Sequence, residues 1–278
     1  MKILFFLAVW RRPEITEICF MGLNRLKRAG LFPVEFLAVI SEDSMIPLCE
    51  KYGIDYVYHE NLPLGKKKNF GLTEAFKKNW DFIIELGSDD VLKTELLEMY
   101  KPLFYKHVVL NIGTFCYLNS EDGDCRLIKT ATSYGMGRAI ERSVLEKHTR
   151  GVEIEALDAI MSPGRSVGPG QRGFFPKKDA ESMARAGQVK VMGEERYKLW
   201  NDSINRGLDN SSNFFLHVNG VMDKKVITEE PLAIDIKSKD NIWPFNRDAG
   251  KKYDLDLALK GLSEDEKTAI QCLLKKAS

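Results

Sequence analysis

The stretch DFIIELGSDDVL, Asp81 to Leu92, runs from an apolar segment straight into two adjacent acids. Phe82, Ile83 and Ile84 lead through Leu86 to Gly87, and Asp89 and Asp90 follow. A short apolar run bounded by a glycine reads as a buried strand. Paired carboxylates at its end need a reason, because neighbouring like charges repel and each costs free energy to desolvate. Either solvent surrounds the pair or a cation sits against it. A plainer alternative is that both acids cap the helix expected next, since a helix N-terminus favours negative charge.

Working outward, Ile3 to Val9 is a continuous apolar run, as expected of a parallel strand covered on both faces. Pro13 suits the first turn of a helix that Gly30 ends. Strands are expected at Val34–Ile40, Tyr56–Tyr58 and Phe82–Leu86, with helices at Met45–Tyr52 and Phe70–Lys78 between them. This alternation predicts an α/β fold with a parallel sheet flanked by helices. Ligands of such sheets bind beyond the carboxyl ends of the strands. Arg11, Arg12, Glu42, Asp43, Asp89 and Asp90 all fall at that edge.

The second half reads differently. A helix is expected at Thr94–Tyr105, strands at Val108–Tyr117, Arg126–Thr130 and Gly137–Ile140, and a helix at Ser143–His148. Asn119 to Asp124 forms a turn between the first two of these strands. Residues 162–187, rich in Gly, Pro and basic side chains, predict a long binding loop or lid. A late strand is expected at Pro231–Ile236, and Ser263 with Glu266 has the spacing of a capping box at the start of a C-terminal helix.

Composition narrows the function classes. The net charge of +1 over 278 residues argues against a nucleic-acid binder. The five cysteines include no CxxC, which disfavours a disulfide scaffold or a structural zinc site and suits a reducing cytoplasm. Ile3 to Trp10 is too short to span a membrane and is followed by Arg11-Arg12-Pro13-Glu14 rather than a cleavage site, so no integral membrane segment is expected.

Lys68-Asn69-Phe70-Gly71-Leu72-Thr73-Glu74-Ala75, followed by the strand that ends in Gly87-Ser88-Asp89-Asp90, resembles the family-2 glycosyltransferases. Arg12-Pro13-Glu14 resembles that family's first strand-to-helix turn, and Ile40-Ser41-Glu42-Asp43-Ser44 stands in the place of its acidic second turn. The resemblance covers roughly residues 1–100. Weaker echoes are Gly135 to Ile140 and Trp200 to Asp209. It implies a GT-A-like, Rossmann-type, mostly parallel sheet flanked by helices. Residues 1–105 would form a nucleotide-sugar-binding half and 106–278 an acceptor-side half of one domain. One departure stands out: the family's Asp-x-Asp-Asp has Gly87 in its first position.

The implied activity is transfer of a sugar, with inversion, from a nucleotide-diphosphate donor to an acceptor hydroxyl. A UDP- or GDP-sugar is the expected donor, and a glycan, a lipid-linked molecule or a protein the acceptor. The leaving diphosphate gathers negative charge that Mn²⁺ or Mg²⁺ neutralises, and hard cations take carboxylate oxygens. The resemblance places Asp89 and Asp90 at the metal, with His217 as a third candidate ligand. Arg11, Arg12, Glu42, Asp43, Lys68, Asn69 and Ser88 are the candidate donor-binding residues. Asp209, read in a turn after Gly207, is the first candidate for the base, and Asp158 the second. Lys66 and Lys67 read as solvated, and Trp200 and Trp243 as packing residues. Two further readings stay open: a sugar-phosphate nucleotidyltransferase, and a glycan-binding or structural protein without catalysis.

Overall fold

The computed structural model describes residues 1–150, 197–200, 208–241 and 245–277. Asp158, the expected loop at 162–187 and Trp243 lie outside them. β1 (Ile3–Ala8), β2 (Val34–Ile40), β3 (Asp55–Tyr58) and β4 (Phe82–Gly87) alternate with α1 (Pro13–Ala29), α2 (Ile46–Tyr52) and α3 (Leu64–Phe76). Then come β5 (Asp90–Leu92), α4 (Thr94–Tyr100), β6 (Val109–Ile112), β7 (Thr114–Asn119), β8 (Cys125–Lys129), β9 (Arg138–Glu141) and α5 (Arg142–Thr149). The last described elements are α6 (Leu208–Val218), β10 (Lys224–Val226), β11 (Ala233–Lys237), β12 (Lys251–Lys252), α7 (Leu255–Leu259) and α8 (Glu264–Ala277).

These strands make two sheets, and the architecture is α/β, as expected. The larger has the order β10-β6-β9-β4-β1-β2-β3, and only β9 runs antiparallel to its neighbours. The smaller has the order β12-β8-β7-β11-β5. β1 explains its own unbroken apolar sequence. Ile3, Phe5 and Leu7 pack with Cys19, Phe20, Leu23 and Leu26 of α1. Leu4 and Phe6 point the other way, toward Leu72, Ala75 and Phe76 of α3 and toward Trp200. Another stripe of α1, Ile15 and Ile18, packs on the second sheet through Val91, Ile234 and Ile236. α1 is therefore held between the two sheets.

Several elements differ from expectation. Helix α3 begins at Leu64, six residues before the expected start, and within it Lys67, expected to be solvated, is fully buried. The expected helix Thr94–Tyr105 stops at Tyr100. The single strand expected at Val108–Tyr117 is two, β6 and β7, and the chain passes from one sheet to the other at Gly113. The capping box is present: Glu266 N–H donates to Ser263 Oγ, and Ser263 N–H to Glu266 Oε2. Among the described residues no helix is long and apolar enough to cross a membrane.

Candidate active site

The acids that follow β4 do not cap α4. The residue at that helix start is Lys93, with no side-chain cap. Instead Asp90 opens β5, which pairs antiparallel with β11 so that Asp90 stands opposite Asp235. The second sheet thus delivers a third carboxylate. Asp89, Asp90 and Asp235 are all buried and can each offer an oxygen within 4.8 Å of the others.

Arg12 Nη1 donates to Asp89 Oδ2 at 3.0 Å, and Asn241 Nδ2 donates to the same oxygen. Gly87 N–H donates to Asp90 Oδ2, and Lys237 Nζ lies 2.7 Å from Asp235 Oδ2. Asp235 Oδ1 is buried with no hydrogen-bond partner. Burial raises the Asp89 pKa, but Arg12 and Lys237 outweigh it and hold the carboxyl below its usual range. Burial, Asp235 and Asp89 push Asp90 well above that range. Burial lifts Asp235 to about 6. Three converging carboxylates with one orphaned oxygen suit a hard divalent cation, which would take oxygen ligands from this set.

Gly87 has a local reason. A Cβ there would lie 2.5 Å from Asp89 Oδ1 and 3.0 Å from Asp90 Oδ2. The two acids fill the space that a side chain at this position needs.

Above the acids lies a cleft of about 550 Å³, lined on one side by Trp10, Arg11, Arg12, Asn61 and Lys68. Arg11 and Arg12 both have left-handed backbones, φ 55° and 56°. Such a conformation costs a non-glycine residue about 1–2 kcal/mol. It sends the Arg12 side chain to Asp89 and to the Ser88 hydroxyl, 3.2 Å from Nη2. The strand end leading into this turn is held by Lys67, whose side chain is fully buried and donates to Val9 O at 2.6 Å and Asn61 Oδ1 at 3.3 Å. Arg11 itself is exposed, lies over the Trp10 ring and stands 3.8 Å from Glu42.

Beside the acids a second charged group is buried. Glu85 of β4 stands opposite Arg138 of β9 in register, and pairs with both Arg138 and Lys68. Burial raises the Glu85 pKa, but Arg138 and Lys68 reverse this and keep it lowered. Asn213 of α6 accepts from Arg138 at 2.6 Å and donates to Ser133 O at 2.9 Å, which fixes α6 against the cleft. Asp209 enters the cleft from the first turn of α6, a helix where a turn was expected. Gly135 makes room for it: a Cβ there would be 2.5 Å from Asp209 Oδ1.

The structure therefore gathers Arg11, Arg12, Lys68, Ser88, Asp89, Asp90 and Asp209 around one cleft. It places others elsewhere. Asn69 is buried and clamps the backbone of Leu199 and Trp200, accepting at 2.9 and 3.0 Å and donating at 2.6 Å, so its amide is occupied by packing. His217 is exposed in the last turn of α6, away from the three acids. Glu42 precedes and Asp43 opens the 3₁₀ turn after β2, outside the cleft lining, where Glu42 stands near the exposed Arg11 and its charge also acts on the buried Lys67. Sequence reasoning missed Asp235, Lys237, Asn241, Glu85 and Arg138. The one signal for Asp235 and Glu85 was an acid inside an otherwise apolar strand, AIDIK and FIIELG.

No family model matches the chain, and no curated protein matches it. Solved structures match in part. Residues 1–349 of TarS from S. aureus share 16% identity over 53% of this chain and 49% of that one, with a TM-score of 0.38. A mannosyltransferase from Pyrobaculum calidifontis, in complex with GDP-Man and Mn²⁺, shares 10% over 52% and 46%, at 0.39. Mannosyl-3-phosphoglycerate synthase from Rubrobacter xylanophilus shares 15% over 66% and 70%, at 0.40. The chain spans about half the length of the first two.

Proposed function

We propose that the chain is a metal-dependent glycosyltransferase that moves a sugar from a UDP- or GDP-sugar to an acceptor hydroxyl with inversion. The observation that carries this reading is the convergence of Asp89, Asp90 and Asp235 beneath a cleft, with Asp235 Oδ1 buried and unpartnered. A divalent cation, Mn²⁺ or Mg²⁺, held there would act as a Lewis acid toward the diphosphate. Arg12 orients Asp89 and presents its charge on the donor side of the cleft, with Ser88 beneath it. Lys68, tied to Glu85, adds a second fixed positive charge. Asp209 takes the proton of the acceptor hydroxyl as that oxygen bonds to the anomeric carbon and the bond to the diphosphate breaks. Residues 1–105 supply the donor side, and 106–278 supply Asp209 and Asp235.

Calorimetry with MnCl₂ and a set of UDP- and GDP-sugars tests this reading. Donor binding should require the ion and be lost in Asp235→Asn, with circular dichroism unchanged. Asp209→Asn should keep donor affinity and lower transfer by about 10²–10⁴-fold. Metal-independent donor binding, or none, would remove it.

A further inference from the structure

The cleft has two unlike linings, and Asp209 stands beside the second. The first carries the cations Arg12, Lys68 and Lys237, each already paired with an acid of the floor. The second is aromatic, with Lys237 reaching over one of its rings. Phe115 and Tyr117 come from β7, and Tyr134 from the segment before β9. The Phe115 ring lies 5.2 Å from each tyrosine ring, edge-on at 72° and 70°. Phe115 is buried, while both tyrosines are half-buried and face the cleft. Lys237 lies over the Tyr117 ring, and Tyr134, half-buried and bonded through its hydroxyl to Tyr117, is the ring of the lining without a cation over it among the described residues. Tyr134 adjoins Gly135, against which the Asp209 carboxylate rests.

We propose that this lining is a saccharide-binding subsite, and that the acceptor is an uncharged sugar rather than a phosphorylated or other anionic molecule. Its role as acceptor subsite rests on the transferase reading above. A pyranose ring has an apolar C–H face and a rim of hydroxyls. An aromatic ring covers the face and removes it from water. Neutral donors and acceptors such as Thr132 and Asn246, also in the lining, suit the hydroxyls. Among the described residues, an anion at this place would face Asp209 and Asp240, while Arg12, Lys68 and Lys237 of the lining are each paired with an acid and the exposed Arg11 stands beside Glu42.

The test is saturation-transfer NMR on the full chain with methyl glycosides of glucose, galactose, mannose and N-acetylglucosamine as neutral probes and glycerol 3-phosphate as the anionic one. At least one glycoside should bind. Its affinity should fall about tenfold in Tyr134→Ala and hold within about twofold in Tyr134→Phe, which keeps the ring. The proposal is overturned if glycerol 3-phosphate binds and no glycoside does, if nothing binds, or if Tyr134→Ala changes nothing. Donor calorimetry on the same preparation separates the two readings. Tyr134-dependent glycoside binding without any nucleotide-sugar binding sinks the transferase and keeps the sugar site. Donor binding without glycoside binding does the reverse.

Discussion

Gly87 shows how a single position carries meaning. Its missing side chain leaves room for Asp89 and Asp90, and the third carboxylate, Asp235, comes from across the β5–β11 pair. Placing an acid at this position should therefore harm the site. In Gly87→Asp the new side chain meets Asp89 Oδ1 and Asp90 Oδ2 and adds a fourth buried negative charge. Mn²⁺ affinity measured by calorimetry should drop, where an additive view of ligands expects a rise. Lys67 makes a different point. Burial lowers its pKa to about 7, with Glu42 the opposing influence. The unfolded chain holds that proton up to about pH 10.4, so between these values the unfolded state binds more protons and stability rises with pH. Lys67→Met removes this dependence. Its stability relative to the parent in urea should be highest at or below pH 7 and decline toward pH 10. Asp89 and Asp90 were legible because an apolar run stops at them. Lys67 was not, since a lysine among lysines gives no sign of which one turns inward.

At the scale of elements, strands covered on both faces were readable and short ones were not. β2 was expected with its observed bounds, because burial on two sides leaves the apolar run Phe36 to Ile40. β5, β10 and β12, of three, three and two residues, leave too little pattern to detect. α6 was taken for a turn because the glycine and polar residues at 207–213 hide its amphipathic face. The pairing of β4 with β9 rests on more than backbone hydrogen bonds. Glu85 and Arg138 face each other across it, both almost fully buried, and Lys68 joins from α3. Removing one member leaves buried cations unpaired, which costs about 3–5 kcal/mol. Glu85→Leu should lower urea stability by that amount, and a loss below about 1 kcal/mol would show that the strand pairing stands without the ion group.

At the scale of the whole molecule, the two sheets, the helix between them and the C-terminal helix act together. Arg25 of α1 donates to both carboxylate oxygens of Glu266 in α8, at 2.8 and 3.2 Å, and also to Thr94 Oγ1 and Leu92 O. Glu266 is fully buried and completes its own capping box. Glu266→Ala should cost about 3–5 kcal/mol, since the Arg25 charge loses its buried partner. The shift should be visible as a lowered urea midpoint with an unchanged slope. None of this tie was written in local sequence, which reported the cap but not the arginine that reaches it. The contact between Asn241 and Asp89, 152 positions apart, has a consequence for synthesis on the ribosome. A nascent chain that has emerged through β5 already exposes Asp89 and Asp90, with Arg12 their nearest cation. Asp235, Lys237 and Asn241 emerge much later, so the cluster of three carboxylates is completed only when β11 docks. Until then the two acids of the growing chain stand without Asn241, and Asp90 without its partner across the strand pair; the cluster is whole only once the second sheet closes.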